Sequence, residues 1–378
     1  MFSYWERTTW LDASDYIVIG SGLVGINAAL HIKQLKPDSK VTILERGILP
    51  QGASTKNAGF ACFGSLSEIA ADIEHSGWDT AFELVFKRYE GLCLLRSMLG
   101  DKAIEYEALG GFELFRNTDL SAYHKALELM EPLNKALSGI VGNRPVYQHN
   151  NPLIHEMGFN NVRHLIENSA EGQINPGKMM RCLLRRAAEA DIAVLHGINV
   201  QQINETSAGV ELETSVGNIK ALNVLVATNG FAAQLLPQLD VKPARAQVLL
   251  TQPIANLKIK GSFHLDEGYF YFRNVGNRIL FGGGRNLDFS GETTVSHDTT
   301  DKIQQHLESL LQTVIIPNQP FIVAQRWAGT MGMGSYKKPI VERVSPHVFC
   351  AVRMGGMGIA LGSLTGREAA ELMLRGDF

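Results

Sequence analysis

The sequence predicts a mixed α/β fold (α+β overall), in which a parallel-sheet domain is interleaved with a second domain built on a β-sheet. Near the N-terminus, the apolar run Tyr16–Ile19 leads into a glycine-rich loop and then into a helical pattern. From about residue 243 to 282 the chain is instead rich in β-favouring residues. It closes with the apolar run 348–352, a glycine cluster and a helical pattern, so C-terminal sequence is expected to complete the N-terminal domain.

The loop after the first strand has the pattern Gly20-Ser-Gly22-Leu-Val-Gly25. Glycines at these places allow a tight turn and let the backbone approach a pyrophosphate at the N-terminus of the next helix. The second strand, 41–44, ends at Glu45, an acid that can accept hydrogen bonds from both ribose hydroxyls of an adenosine and would repel a 2′-phosphate. Together they predict a Rossmann-like dinucleotide site, with NAD and FAD both open at this point.

Further elements follow from the hydrophobic periodicity. The first helix is expected to end near Pro37, because proline and the residue before it disfavour helix continuation. Residues 66–99 have a helical pattern that is interrupted around Gly77, and Asn175 is expected to cap another helix. The remaining predictions are a strand over 106–115, a helix over 122–137, a small β-meander over 193–226, strands over 245–251, 268–273 and 278–282, a helix over 301–313 and a final helix over 366–374.

Composition argues against several classes of protein and of site. Charged residues make up 19% of the chain and its formal charge is −3, so we expect no nucleic-acid partner and no general attraction to anionic membranes. Four cysteines lie far apart without a Cys-x-x-Cys pair, and His149, His155 and His164 lack metal-ligand spacing, so neither a metal site nor a disulfide framework is expected. The cysteine pattern fits a reducing cytoplasm, and we recognise neither a signal peptide nor the roughly 18 apolar residues of an integral membrane segment.

Beyond the first motif, the chain carries a series of ordered blocks. They are the Gly20 loop with Glu45, Gly52-Ala-Ser-Thr-Lys-Asn-Ala-Gly59, Asn175-Pro-Gly, Val226-Ala-Thr-Asn-Gly230, Gly268-Tyr-Phe-Tyr-Phe-Arg273, Arg326-Trp-Ala-Gly329 and Gly355-Gly-Met-Gly358. In this order the blocks resemble the FAD-dependent D-amino-acid oxidase superfamily, over nearly the whole chain. The likeness is closest to glycine oxidase, sarcosine oxidase and γ-glutamylputrescine oxidoreductase-like proteins, and it implies that the dinucleotide is FAD.

The resemblance also implies which residues surround the cofactor. The block that ends near Phe60 would pass beside the pyrophosphate and flavin, and the backbone of Val200 would approach the adenine. Backbone donors in Gly329 and 355–359 would stabilise negative charge that develops at flavin N1 and O2. The residues expected at the FAD are Gly20, Gly22, Gly25, Glu45, Arg46, Ala53, Ser54, Asn57, Ala58, Gly59, Phe60, Val200, Ala227, Thr228, Gly230, Gly329, Gly355, Gly356, Met357, Gly358 and Ile359.

Two departures from the family pattern affect the expectations. Relatives with covalent flavin use a cysteine near the Arg326 block, whereas this chain has Gly329-Thr-Met-Gly-Met there, so we expect noncovalent FAD. Sarcosine oxidase-like proteins place a substrate-binding lysine just after the last glycine block, where this chain has Ala360. Substrate recognition therefore does not transfer from those relatives.

The chemistry implied by the resemblance is oxidation of the carbon–nitrogen bond of an amino acid or related amine. A hydride would pass from the substrate carbon to flavin N5 and leave an imine that water hydrolyses, with oxygen or a quinone as electron acceptor. A substrate that enters as the neutral amine would need no protein base. The protein's task would then be positioning and electrostatics.

Tyr269, Tyr271 and Arg273 are the predicted substrate-binding residues. In a strand these three positions share one face, so two phenols and a guanidinium could point into a pocket above the flavin. Arg273 could bind a carboxylate through two hydrogen bonds. The alternative is an ordinary sheet surface, and Arg285 and Arg353 are further carboxylate candidates that we expect to be structural ion-pair partners.

The predicted domains are discontinuous. Residues 1–85, 145–235 and 325–378 would form the FAD-binding domain, and residues 86–144 and 236–324 the substrate-binding domain. Two other functions stay open: an FAD-dependent 2-hydroxy-acid dehydrogenase on the same fold, and a non-catalytic NAD-binding regulatory protein.

Overall fold

A computed structural model describes residues 1–375 of the protein. The α-helices in this range are α1 Tyr4–Glu6, α2 Leu23–Leu35, α3 Ala53–Lys56, α4 Leu66–Ser76, α5 Trp78–Leu99, α6 Asp101–Ile104, α7 Leu120–Leu137, α8 Pro152–Met157, α9 Pro176–Glu189, α10 Asp301–Leu310 and α11 Gly358–Leu374. The strands are β1 Ser14–Ile19, β2 Val41–Glu45, β3 Phe60–Ala61, β4 Gly111–Arg116, β5 Tyr147–His149, β6 Val162–Asn168, β7 Gly172–Gln173, β8 Ala193–His196, β9 Val200–Thr206, β10 Gly209–Thr214, β11 Gly217–Val226, β12 Lys242–Thr251, β13 Ser262–Leu265, β14 Phe270–Val275, β15 Arg278–Gly283, β16 Val323–Met333, β17 Ile340–Arg343 and β18 Val348–Val352.

The first large sheet has the strand order β17-β18-β11-β1-β2-β8, and the hairpin partners β10 and β9 extend from β11. Strands β18, β11, β1, β2 and β8 are parallel to their neighbours along this path. Strand β1 is apolar on both faces, since Ile17 and Val18 are both fully buried and belong to separate hydrophobic clusters. A central parallel strand covered by helices on one side and a meander on the other requires such a run. The predicted mixed α/β fold is confirmed.

Helices α2 and α11 cross at close range against this sheet. A side chain at Gly362 would lie 2.7 Å from the Leu23 side chain, and one at Gly366 would lie 2.7 Å from Cβ of Asn27. The prediction that the last helix begins at residue 366 is wrong, because α11 begins at Gly358. The prediction left Gly362 before the helix and placed Gly366 at its start, whereas both are sites of close packing between α11 and α2.

The second large sheet has the order β16-β12-β15-β14-β13-β4-β6-β5. Its neighbours are antiparallel except for β13 and β4, which run parallel. Aromatic side chains from adjacent strands stack on one face: the rings of Phe263 and Phe272 are 4.6 Å apart, and those of Phe112 and Phe263 are 4.9 Å apart. Helix α10 covers this cluster through Ile303 and Leu307.

The predicted domain boundaries do not coincide with the division between the two sheets. Strands β5 and β6 lie within the predicted segment 145–235, and β16 lies mostly within 325–378, yet all three pair into the second sheet. Long-range strand pairing decides this membership, and local sequence does not reveal it. The division into an FAD-binding and a substrate-binding domain stays a prediction, and residues 376–378 lie outside the described range.

Most local predictions agree with the structure. Helix α2 ends at Leu35, two residues before Pro37, and the helical segment 66–99 is broken at Gly77, whose φ is +80°. The Asn175 side chain accepts a hydrogen bond from the backbone N–H of Lys178 and caps α9. The strand expected over 106–115 begins only at Gly111, because Gly110 adopts a φ of +83° that interrupts an extended chain. No helix within residues 1–375 combines the length and apolar character needed to cross a bilayer.

Candidate active site

A single cavity of about 750 Å³ extends from the glycine loop to the second sheet. Its wall includes Ile19, Glu45, Ala227 and Met354, which lie at or just beyond the carboxyl ends of β1, β2, β11 and β18. Ligands of open parallel sheets bind at this edge. The opposite part of the wall comes from β13 and β14 of the second sheet, so one cavity joins the dinucleotide loop to the predicted substrate strand.

The glycine loop leaves room for a group that approaches its backbone. Gly20 has a φ of +109°, and a side chain there would lie 2.9 Å from the Ala227 carbonyl oxygen. A side chain at Gly25 would overlap the Gly20 carbonyl oxygen and lie 3.1 Å from Val18. No side chain of its own caps α2 at Gly22, and the N–H of Leu23 donates to Oγ of Ser54. The remaining free N–H groups of this first turn suit a pyrophosphate.

Glu45 is held at the end of β2 by the loops around it. Its carboxylate accepts hydrogen bonds from the backbone N–H of Ser21 at 3.1 Å, the Ser21 hydroxyl at 2.7 Å and the N–H of Gly47 at 2.8 Å. A carboxylate offers about four acceptor positions, so these bonds leave one position, on Oε1, unused by the described residues. Arg46 also lies in the wall, with its guanidinium 4.4 Å from the ring centre of Phe231.

The segment from α3 to Phe60 forms the next part of the wall. The Asn57 amide donates to the carbonyls of Ala53 and Ser54, and its oxygen accepts from the N–H of Gly59 at 2.9 Å. Asn57 therefore shapes the turn through its own backbone contacts, as short amide side chains often do. The Trp327 indole donates to the Lys56 carbonyl at 3.0 Å and so joins this segment to β16.

The C-terminal glycine block places the N-terminus of α11 against the cavity. Gly355 and Gly356 have φ values of +57° and +85°, which form the turn, and residues 354–360 line the wall. Oδ1 of Asn229 accepts from the backbone N–H groups of Arg353 and Met354 at 3.2 Å and steadies this turn. A helix N-terminus carries partial positive charge, which favours negative charge beside it. This agrees with the role that the resemblance implies.

Nearly all residues expected at the FAD lie in this one wall. Of those 21 residues, the cavity lining contains all except Gly25 and Gly230. Gly25 supports the loop from behind, and a side chain at Gly230 would lie 2.9 Å from the backbone carbon of Met331. These two glycines allow close packing of the backbone beneath the cavity wall. The individual contacts of these residues with FAD stay predictions.

Only part of the predicted substrate strand lines the cavity. Tyr269 and Tyr271 line it, and burial raises the pKa of the Tyr271 hydroxyl to about 12. Arg273 is not in the wall: its guanidinium lies behind Gly59, 3.0 Å from where a side chain of that glycine would begin. Burial lowers the pKa of Arg273 to about 10, and the Glu107 carboxylate partly opposes this change. Arg273 therefore lies next to the cavity wall and not in it, and its contact with the substrate stays a prediction.

Arg285 differs from its predicted structural role. It lines the cavity, its guanidinium stacks on the Phe289 ring at 4.9 Å, and that guanidinium makes no hydrogen bond or ion pair with any residue in the described range. Burial lowers the pKa of Arg285, while Tyr269 and Glu292 act in the opposite direction. Arg353, by contrast, pairs with Asp240 at 2.9 Å outside the cavity wall, as expected. Arg285 is thus a cavity cation without an anionic partner.

Sequence reasoning missed an ionic cluster on α4. Glu68 and Asp72 lie one turn apart on this helix and both line the cavity. Lys337 forms ion pairs with Asp72 at 2.6 Å and Glu68 at 3.4 Å, and the buried Arg88 lies 3.6 Å from Glu68 and 3.9 Å from Asp72. Burial would raise the pKa of Glu68, but Lys337, Arg88 and His264 outweigh it and the pKa is lowered. The i, i+4 spacing of the two acids was the available signal.

His264 was also missed. It pairs directly across from Tyr271 in the β13–β14 hairpin, and both side chains line the cavity. Its ring contacts Phe60 edge-on at 5.1 Å, and neither ring nitrogen has a hydrogen-bond partner in the described structure. Burial lowers the pKa of His264, which the Glu68 carboxylate partly offsets. The turn sequence Asp-Glu-Gly between the two strands would have indicated this hairpin register.

The part of the chain that the structure describes contains no candidate metal site. No group of three or more histidine, cysteine, aspartate or glutamate side chains there is arranged to hold a metal ion. The four cysteines are free thiols, and Cys62 is the one whose residue reaches the cavity wall within residues 1–375.

Comparison with known proteins gives relatives that cover the whole chain. A probable oxidoreductase OrdL of Rhizobium meliloti (strain 1021) is 25% identical over 96% of this chain and 83% of its own length. Among solved structures, a glycine oxidase from Geobacillus kaustophilus has a TM-score of 0.78 at 19% identity and covers 96% of this chain and 95% of its own. An L-proline dehydrogenase from P. horikoshii has a TM-score of 0.75 at 17% identity, covering 97% and 94%. These two structures share the fold.

The family match agrees with the geometry of the glycine loop and the cavity. The model of the family described as DAO, FAD dependent oxidoreductase, matches residues 15–372. That range includes both large sheets and every residue of the cavity wall. The chain is therefore an enzyme that belongs to the DAO family of FAD-dependent oxidoreductases.

Proposed function

We propose that this FAD-dependent oxidoreductase oxidises the carbon–nitrogen bond of a small amino acid or related amine. One observation carries the proposal: a single cavity joins the dinucleotide loop at Gly20 to a pocket wall that carries Tyr269, Tyr271 and the unpaired Arg285. A cofactor at the loop and a carboxylate-bearing substrate at the second sheet would share this enclosed space. The names of the glycine oxidase and the L-proline dehydrogenase with the same fold describe amino-acid oxidation and support the choice.

The residues present fit FAD. The backbone cradle at Gly20 and the open helix end at Gly22 would hold the pyrophosphate, and Glu45 has an acceptor position for a ribose hydroxyl. Bound FAD would supply the oxidant for hydride removal from the substrate carbon, and water would hydrolyse the resulting imine. The N-terminus of α11 would stabilise negative charge on the reduced ring.

The substrate would be held by side chains of the second sheet. Arg285 would bind its carboxylate, since a half-buried guanidinium in the cavity wall without an ion pair can take a substrate carboxylate as its partner. Tyr269 and Arg285 both lie against the Phe289 ring, at 6.0 and 4.9 Å, so the phenol would act on the same side of the pocket. Tyr271 stays a neutral donor because burial raises its pKa to about 12. In this arrangement the chain binds and orients the substrate and excludes water.

We further propose that FAD is bound noncovalently. No cysteine occurs in residues 326–333, and burial raises the pKa of the Cys62 thiol well above its usual range, which disfavours the nucleophilic thiolate. Acid precipitation of the loaded protein should release the yellow cofactor into the supernatant. Colour that stays with the precipitate would contradict noncovalent binding.

The reaction is tested by mixing FAD-loaded protein anaerobically with amino acids, amines and 2-hydroxy acids. Loss of flavin absorption with amines or amino acids is expected. Bleaching by hydroxy acids alone would favour the 2-hydroxy-acid dehydrogenase, and a protein that binds NAD but no FAD would favour a regulatory role. Reoxidation by oxygen and by a soluble quinone, measured after bleaching, then distinguishes the two electron acceptors. The cytoplasmic location, inferred from the unpaired cysteines, is tested by cell fractionation.

A further inference from the structure

We propose that Glu68 and His264 form a subsite for a second, protonated nitrogen of the substrate, remote from the nitrogen that is oxidised. This inference rests on the proposed amine oxidation and narrows its substrate class. The preferred substrate would then carry two basic nitrogens, as a diamine or a diamino acid does. Four steps lead to it.

The first step concerns the free acceptor of Glu68. Both of its ionic contacts, with Lys337 at 3.4 Å and Arg88 at 3.6 Å, are made by Oε1. Oε2 accepts no hydrogen bond from a residue in the described range, although the side chain is only 13% exposed. A carboxylate oxygen that faces a cavity and accepts no hydrogen bond from the protein can be satisfied by a ligand.

The second step concerns His264, whose ring nitrogens also lack hydrogen-bond partners in the described structure. The residue is 8% exposed and both ring nitrogens are buried without partners. A side chain at Gly268 would begin 3.6 Å from Oε2 of Glu68 and 3.8 Å from Nδ1 of His264. The two unsatisfied groups therefore converge at the turn between β13 and β14. A neutral imidazole can accept one hydrogen bond, so a group rich in N–H donors suits both.

The third step concerns the charge of that group. Lys337 already places a primary ammonium between Asp72 and Glu68, which shows that these carboxylates can hold an alkylammonium ion. The four charges of Glu68, Asp72, Arg88 and Lys337 balance, and Glu267 adds an exposed carboxylate to the cavity rim. A substrate cation at Oε2 would thus enter a region without excess positive charge.

The fourth step decides which nitrogen binds here. Hydride transfer from carbon requires a lone pair on the adjacent nitrogen, hence a neutral amine. A carboxylate within hydrogen-bond distance favours the protonated form by about 1 to 3 pKa units. A nitrogen bound to Glu68 would therefore stay protonated and unreactive. The nitrogen that is oxidised must lie elsewhere in the cavity.

The test compares matched probes with the FAD-loaded wild-type protein under anaerobic conditions. Ornithine is compared with norvaline, using both enantiomers, and 1,4-diaminobutane is compared with butylamine. The rate of flavin reduction divided by the probe's dissociation constant should be about 10- to 100-fold larger for the probe with the second nitrogen, as expected for a charge-assisted hydrogen bond. Equal values within each pair would overturn the inference without any variant.

Two variants assign the preference to the subsite. Glu68→Gln removes the negative charge at nearly constant shape, and His264→Asn replaces the imidazole by a shorter hydrogen-bonding side chain. Both variants should reduce the preference for the probe with the second nitrogen to within about threefold of unity. Glu74→Gln is the matched control, because Glu74 lies on the same helix with its side chain 59% exposed, outside the cavity wall. FAD content and melting temperature are measured for each variant to separate recognition from folding.

The outcomes separate this inference from the proposed function. If neutral amino acids bleach the flavin and the second nitrogen makes no difference, amine oxidation stands and the subsite is refuted. If Glu68→Gln keeps the wild-type preference, the subsite is likewise refuted. If no amine or amino acid bleaches the flavin, the proposed function fails and this inference fails with it.

Discussion

Replacing Arg285 by methionine would remove a cavity cation for which the described structure shows no ion pair. The guanidinium is half-buried and stacks on Phe289 at 4.9 Å, so it is already oriented before a substrate arrives. A hydrogen bond to a charged group contributes about 1.5 to 3 kcal/mol. Since 1.4 kcal/mol corresponds to a factor of ten, Arg285→Met should weaken binding of a carboxylate-bearing substrate by about 10- to 100-fold.

The assay uses a pair of ligands that differ only in the carboxylate. The amino acid that bleaches the flavin fastest is compared with the amine that remains when its carboxyl group is removed. Stopped-flow reduction gives the dissociation constant of each. The variant should lose affinity for the amino acid and keep its affinity for the amine within about threefold, and Arg285→Lys should recover part of the loss because it restores the charge without the planar fork.

The control is Arg185→Met on α9, where the side chain is 67% exposed and far from the cavity wall. It changes the net charge of the protein by the same amount. If Arg285→Met leaves the affinity for the amino acid unchanged, or weakens both ligands equally, then Arg285 does not bind the carboxylate and the assignment is wrong.

Three further predictions concern the cofactor loop, the pocket and a buried acid. Gly25→Ala should lower FAD occupancy at least tenfold while circular dichroism stays unchanged, because the methyl group would overlap the Gly20 carbonyl and shift the loop; full occupancy at equal FAD concentration would refute this. Tyr271→Phe should slow flavin reduction without releasing FAD, and unchanged reduction kinetics would remove the phenol from the site. Burial raises the pKa of Glu171 to about 8, so its neutral form stabilises the fold at low pH and this contribution is lost as pH rises through 8. In urea unfolding of FAD-loaded protein, the wild type should lose a few kcal/mol between pH 5 and 8 relative to Glu171→Gln, whereas parallel pH profiles would contradict the burial of a neutral acid.

The parts of the site that depend on local backbone geometry could be predicted from sequence. Gly20, Gly22 and Glu45 follow from one strand–turn–helix–strand unit, and the structure brings all three into the cavity wall. Their spacing is determined by a short stretch of chain, so little tertiary information is needed. The Asn175 cap was predictable for the same reason.

Other features depended on contacts between distant segments. Whether Gly362 and Gly366 belong to a loop or a helix is decided by how closely α11 approaches α2, and that distance is not encoded near residue 360. Likewise, the predicted strand alternation grouped Tyr269, Tyr271 and Arg273, whereas only the two tyrosines line the cavity and Arg273 lies against Gly59.

The spacing of the two acids on α4 was visible in sequence, but their ionic cluster was not, for a related reason. Glu68 and Asp72 resemble a solvated helix face in sequence, and only the approach of Lys337 from the loop before β17 shows that this face is turned inward. His264 has no ligand-like neighbour in sequence, and its importance comes from its position opposite Tyr271 and near Glu68. The proximity of these residues can be recognised only in the folded structure.

The central claim is that one cavity brings bound FAD together with an amine substrate. Anaerobic mixing of the FAD-loaded protein with a panel of amino acids, amines and 2-hydroxy acids, followed at the visible flavin bands, tests it most directly. The account predicts bleaching by amino acids or amines and release of the corresponding keto acid or aldehyde after imine hydrolysis. Bleaching by 2-hydroxy acids alone, or none by any amine, would contradict it.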